Sequence, residues 1–332
     1  MIKVYDNSDL DINLLLNTNC NIKCPQCFAI NHIDKICEEK NISMDDFVYV
    51  TELLKKDGLE HVNLIGGEPS LHPHVFDFIG LLKSKNIAIG FSTNAIWKPS
   101  FTKDMEKYSR ALEFEITMHP KEFYDKGKLS KLYSALESLK GRKTSLGLVI
   151  YSPDFNYSFH SEMAEKFGFD IRWTLAEPAV GSQHKYMYYE NKEELRKIGN
   201  KIYKFIRGCN DRGISTWLDL EVPACMFSKK QLEFFYNNKN HEIQFKCPQF
   251  FDIGPDLKIW KCFPLSELYT ENLRNFEGLK EAYNHLKERF TGLEKQIIFD
   301  ECLKCSFYVD NICGAGSKIA KYMKGADSNG YY

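Results

Sequence analysis

Two hydrophobic periods alternate along the first two thirds of the chain. Short, mostly apolar runs with β-branched and aromatic residues read as strands over residues 12–16, 61–65, 87–92, 112–117, 145–150 and 170–175. Between them, apolar positions recur at helical spacing over residues 43–58, 74–85, 129–139, 159–167 and 192–212. The first of these helices has a full set of signals. Ser43 is an N-cap, Asp45 and Asp46 fall in the first turn, Gly58 ends it, and Phe47, Val50, Leu53 and Leu54 share one face. Six strand–helix units in succession predict an α/β fold with a parallel sheet and helices outside it.

Past residue 213 the pattern changes to short strands and turns. Phe251-Asp252-Ile253 and Leu257-Lys258-Ile259-Trp260 flank Gly254-Pro255-Asp256 and predict a hairpin. This break divides the chain into a core over 1–213 and a smaller domain over 214–332. Charge excludes little but usefully: 44 Lys and Arg oppose 45 Asp and Glu, so no net field recruits nucleic acid or an anionic membrane. The polar start, Met1-Ile2-Lys3-Val4-Tyr5-Asp6, carries no export signal, and no apolar run reaches membrane-spanning length. A cytoplasmic protein is expected, in which eleven cysteines argue for metal ligation over disulfides.

Three of those cysteines, Cys20, Cys24 and Cys27, lie within eight residues directly after the first strand. Cysteine sulfur is a preferred ligand of iron–sulfur clusters, and three thiolates leave one iron of a four-iron cube open to a small molecule. A zinc loop is the alternative, although structural zinc more often uses two separated Cys-x-x-Cys pairs. Downstream, the strand over 61–65 runs into Gly66-Gly67-Glu68-Pro69. Paired glycines allow a sharp turn and close approach, and the carboxylate beside them can accept from an ammonium group.

The Cys-x-x-x-Cys-x-x-Cys spacing followed by Gly-Gly-Glu-Pro resembles the radical S-adenosylmethionine (radical SAM) enzymes. The resemblance implies a partial (βα)6 TIM-like barrel, with a 4Fe–4S cluster on Cys20, Cys24 and Cys27 that reduces S-adenosylmethionine to methionine and a 5'-deoxyadenosyl radical. It implies that Gly66, Gly67, Glu68 and Pro69 bind the methionine amino group. One departure is Gln26, where the family usually has an aromatic residue; Phe28 follows one place later and is a candidate for the adenine side. In parallel α/β barrels the reactive groups gather at the C-terminal ends of the strands. Ser92, Thr93 and Asn94 end the third strand, with Ala95 where the family often has glycine, and Thr117 ends the fourth. Arg172, within the sixth strand, either reaches the methionine carboxylate or faces the helices. His119 reads as a substrate contact or, more simply, a solvated loop side chain.

The cysteines beyond residue 213 are Cys225, Cys247, Cys262, Cys302, Cys305 and Cys313. Cys247 and Cys262 end the predicted hairpin, and Cys302-Leu303-Lys304-Cys305 is a local pair. A zinc ribbon is one reading. The tail also resembles the SPASM/twitch extensions of radical SAM enzymes, which hold auxiliary four-iron clusters. Six thiols are too few for two complete sets, so one auxiliary cluster is expected, on Cys247, Cys262, Cys302 and Cys305 with Cys313 as substitute. Cys225 is open between a ligand, a hydrogen-atom donor and a buried small residue; Cys37 and Cys209 flank helices and carry no assigned chemistry.

The resemblance implies hydrogen abstraction from a substrate, with a flavodoxin- or ferredoxin-type electron donor. Oxidation or cross-linking of a ribosomal peptide is the first expectation. The short segment before Cys20 suggests a separate peptide-recognition protein, or a small-molecule substrate such as a sugar or amino-sugar. Epimerisation follows instead if a cysteine returns the hydrogen. A non-enzymatic electron carrier is a third class, against which Gly66–Pro69 argues.

Overall fold

The structure is a computed structural model that describes residues 10–27, 29, 32–105, 107–108, 112–180 and 192–329, with side chains to 324. Six strands come first: β1 (Asp11–Leu15), β2 (His61–Ile65), β3 (Ala88–Thr93), β4 (Leu112–Met118), β5 (Thr144–Ile150) and β6 (Asp170–Leu175). Each pairs in parallel with the next. Because the order never reverses, right-handed crossovers put the intervening helices on one side, as in a barrel wall. That side is apolar: Ile12, Leu14, Val62, Leu64, Phe91, Phe114, Ile116, Leu148 and Trp173 are buried against Phe47, Phe78 and Leu136 of the helices. The pleat turns alternate residues the other way, and there β1, β2, β4 and β6 carry half-buried Asn13, Asn63, Glu115, Thr117 and Arg172.

The first full helix, Met44–Lys56, begins where Ser43 accepts from the Asp46 amide and stops before Gly58, whose φ is +66°. The long helix is Lys192–Asn210, and it contains Cys209 in its last turn, buried, instead of flanking it. The helix Pro99–Met105 lacks a clear sequence signal.

The residues past 213 extend the same sheet at both edges. β7 (Thr216–Leu218) and β8 (His241–Glu242) follow β6. The predicted hairpin forms as β9 (Phe250–Ile253) and β10 (Lys258–Trp260), with β11 (Glu271–Asn272) outside it. β9 runs parallel to β1, pairing Asp252 with Asn13. The sheet order is therefore β11-β10-β9-β1-β2-β3-β4-β5-β6-β7-β8, and one core includes residues of both parts, from Ile12 to Ala320. Cys37 is buried with Trp260 and Phe263 beneath the hairpin, which gives it a packing role. No described helix is long and apolar enough to cross a membrane.

Candidate active site

The cysteine loop leaves the C-terminal end of β1 and is held by the turn after β2. The Gly67 amide donates to the Asn17 carbonyl (2.9 Å) and the Glu68 amide to the Asn19 carbonyl (2.8 Å). A Cβ on Gly67 would stand 2.3 Å from the Asn19 oxygen, and one on Gly66 2.6 Å from the Asn17 oxygen. The close approach that demands glycine here is thus to the chain's own cysteine loop. Glu68 is buried and ties three elements: its carboxylate accepts from the Ser70 amide (3.1 Å), the Thr93 hydroxyl (2.7 Å) and the Asn94 amide (2.8 Å). Burial pushes its pKa up, and these donors pull it back. Ala95 has φ +57°, the left-handed conformation that a glycine adopts most easily.

The three thiols are mutual neighbours, since each of Cys20 and Cys24 feels Cys27 and Glu68. Burial is the first cause raising both pKa values, and the neighbouring thiols and Glu68 add to it. Such thiols stay protonated until a bound cation displaces the proton. Donors already point at the Cys20 sulfur, the Ile22 and Asn21 amides and the Asn94 amide group (3.8 Å), and His119 Nε2 lies 3.0 Å from the Cys24 sulfur. Among the described residues, no three His, Cys, Asp or Glu converge as a single metal ion requires. Three neighbouring thiols, with no fourth thiol beside them among the described residues, suit a 4Fe–4S cube, which takes one thiolate per iron and leaves the fourth iron open.

The remaining candidates fall into different places. Thr93 and Asn94 are at the mouth, on Glu68 and Asn21. Ser92 donates to Glu115 (2.7 Å) on the polar side of the sheet. Arg172 is on that side too, but its guanidinium pairs with Asp219 (2.9 Å) and Glu115 (3.3 Å), so its charge is already matched. Thr117 is one strand end away, and Phe28 lies outside the described residues. His119 is the correction of most consequence: it is 1% exposed, not a solvated loop side chain. Burial, with a smaller contribution from His160, lowers its pKa to about 4, and the ring is neutral at pH 7. Beside it a cavity of about 210 Å³ opens past β4 and β5, lined by Met118, Leu148, Tyr151, Ser152, Phe155 and His160 among others.

By their mutual electrostatic influence the six distal thiols fall into a group of four and a pair. Cys225, in the turn Ala224–Met226, feels Cys313 and Cys302, and Cys313 feels Cys302 and Cys305. The Ala224 and Ala315 amides both donate to the Cys313 sulfur, the second at 3.4 Å. Ala315 (φ +58°) and Gly316 (φ +102°) shape the backbone for that bond. Cys247 and Cys262 instead neighbour each other, Glu221 and the buried Lys318. The hairpin places Cys247 and Cys262 together; grouping them with Cys302 and Cys305 rests on the resemblance to SPASM/twitch extensions, and the spacing carries no signal for which thiols lie across from which.

Residues 14–145 match the Radical SAM superfamily, and the chain carries a radical SAM domain. The cofactors of such a domain are a 4Fe–4S cluster and S-adenosylmethionine. The tungsten-containing aldehyde ferredoxin oxidoreductase cofactor-modifying protein of Pyrococcus furiosus is 24% identical over 330 residues, covering 88% of this chain and 86% of that protein. SuiB of Streptococcus suis, solved bound to precursor peptide SuiA, superposes with a TM-score of 0.66 at 14% identity, over 96% of this chain and 73% of that one. Native anSMEcpe with bound AdoMet gives 0.64 at 15%, over 96% and 97%. At these identities the likeness establishes the fold: a radical SAM barrel with a C-terminal extension.

Proposed function

We propose that Cys20, Cys24 and Cys27 hold the 4Fe–4S cluster and that the enzyme removes hydrogen from a peptide substrate, oxidising or cross-linking it. The observation that carries this reading is the docking of the Gly66–Pro69 turn on the cysteine loop, which joins a three-thiol set and a carbonyl-lined turn in one mouth. When bound, the cluster and S-adenosylmethionine supply a radical able to abstract hydrogen from an unactivated C–H. The chain's own part is to hold and orient. Backbone carbonyls of the turn accept from the methionine ammonium, while Glu68, occupied by three donors, keeps turn and strand end together. The wall of the mouth beside His119 excludes water.

In the extension we assign one auxiliary 4Fe–4S cluster to Cys225, Cys302, Cys305 and Cys313, which makes Cys225 a ligand and not a hydrogen donor. Oxidation is then favoured over epimerisation. A peptide substrate is supported by the likeness to SuiB, whose bound partner is a precursor peptide. A second reading, dehydrogenation or epimerisation of a small molecule or cofactor, is supported by the cofactor-modifying relative that spans most of the chain. Anaerobic turnover with candidate substrates and mass spectrometry distinguishes these outcomes. A two-dalton loss from a peptide supports the first reading. Turnover of small molecules alone replaces it with the second, and absence of 5'-deoxyadenosine with every substrate and reductant overturns both.

A further inference from the structure

One buried side chain at the mouth is not used by the reading above. His119 follows β4 directly, and its Nε2 lies 3.0 Å from the Cys24 sulfur. The ring is held on several sides. It packs on Phe123 with 4.1 Å between ring centroids and on Tyr124 at 6.2 Å. Its own backbone amide donates to the Tyr124 hydroxyl at 2.9 Å, which ties the loop after the strand to the turn that carries both aromatics. At 1% exposure, no water competes for the contact.

We propose that His119 donates a hydrogen bond from Nε2–H to the sulfur of Cys24 and thereby raises the reduction potential of the cluster that Cys24 helps to hold. The inference rests on the proposed ligand role of Cys24. A ligating thiolate has no proton to give, so in that state the pair is joined only if the histidine donates, and this selects the Nε2–H tautomer. A donor to a ligating sulfur withdraws negative charge from the cluster. The reduced cluster carries one more negative charge than the oxidised one, so the bond stabilises it more and the potential rises. The same bond orients Cys24 within a loop that otherwise rests on backbone contacts. His119 is therefore a positioning and tuning residue, reached through Cys24.

The test is a redox titration followed by electron paramagnetic resonance on anaerobically reconstituted full-length protein, without S-adenosylmethionine. His119→Phe keeps the packing on Phe123 and removes the donor; we expect unchanged iron content and a midpoint shifted to more negative potential. His119→Gln, whose side-chain amide reaches a similar position, is expected to restore part of the shift. An unchanged midpoint in His119→Phe with its iron intact overturns the proposal. If that variant does not fold, the wild-type protein labelled with ¹⁵N-histidine decides. A histidine nitrogen coupled to the reduced cluster supports the bond, and no such coupling overturns it. Cys24→Ala separates this from the reading beneath it: a variant that keeps the cluster of the Cys20 loop removes Cys24 as a ligand, whatever His119 does.

Discussion

The two thiol-rich regions of this enzyme are built on opposite plans. In the first, Cys20, Cys24 and Cys27 share one loop, and the rest of the fold only has to hold that loop against the Gly66–Pro69 turn. In the second, four thiols come from three separate segments, the turn at Cys225, the stretch Cys302–Cys305 and the loop at Cys313, and only tertiary packing makes them neighbours. A local set is specified by spacing and survives changes elsewhere. An assembled set depends on every segment that delivers a ligand.

The strongest way to break this contrast is to remove the local set. Replacing Cys20, Cys24 and Cys27 together by alanine is expected to abolish S-adenosylmethionine cleavage and leave about four irons in the extension. Formation of 5'-deoxyadenosine by the triple variant would contradict the assignment. Next in size, Cys225→Ala is expected to lose roughly half of about eight irons and all product. Some abortive cleavage should persist. Cys247→Ala should keep near-wild-type iron, and iron counting on the two variants side by side exposes a wrong partition if the losses are reversed.

Smaller effects probe how the loop and the sheet are held. Gly67→Ala places a methyl group against the Asn19 carbonyl. We expect a cost of about 1–3 kcal/mol and weaker S-adenosylmethionine binding, measured by denaturation and by calorimetry. An unaltered variant on both counts would mean the docking is not needed. Smallest is a pH effect at the seam between the two regions. Asp252 is buried on β9, accepts from Asn13 (2.7 Å), and burial raises its pKa to about 7. The folded state therefore holds this proton more tightly than the unfolded chain, whose carboxyl titrates near 3.9. Its contribution to stability is full below that value and is lost as pH rises towards 7. Asp252→Asn removes this dependence at the expense of a buried amide with fewer partners, and should gain about 1 kcal/mol over wild type between pH 6 and pH 7. Parallel stability curves for the two proteins would remove Asp252 as the source.

Which features were legible in the sequence follows the same division. Local signals carried the core. Periodicity located the six strands within a residue or so, Ser43 and Gly58 bounded their helix, and Gly254-Pro255-Asp256 marked the hairpin turn. The glycine pair was visible too, but not what it approaches, because its partner carbonyls are some fifty residues upstream. Long-range relations were not legible. Nothing in a lone histidine after a strand distinguishes a solvated side chain from one packed on a cysteine ninety-five residues away. Nor does Arg172 announce that Asp219 and Glu115 will take up its charge. The thiol partition belongs with these: it arises from how β7, the hairpin and the last loops pack, not from spacing.

The seat of β9 beside β1 has a consequence for how the molecule is made. Asn13 and Asp252 are 239 residues apart, so β1 waits for one of its two neighbours while the residues between them are synthesised. At ordinary translation rates that is roughly 10–50 s. Throughout that time one edge of β1 offers unpaired amides and carbonyls, the kind of template on which chains aggregate. The barrel wall is thus finished late, by the same segment that brings in the extension, and a chain cut short before β9 would keep the open edge permanently.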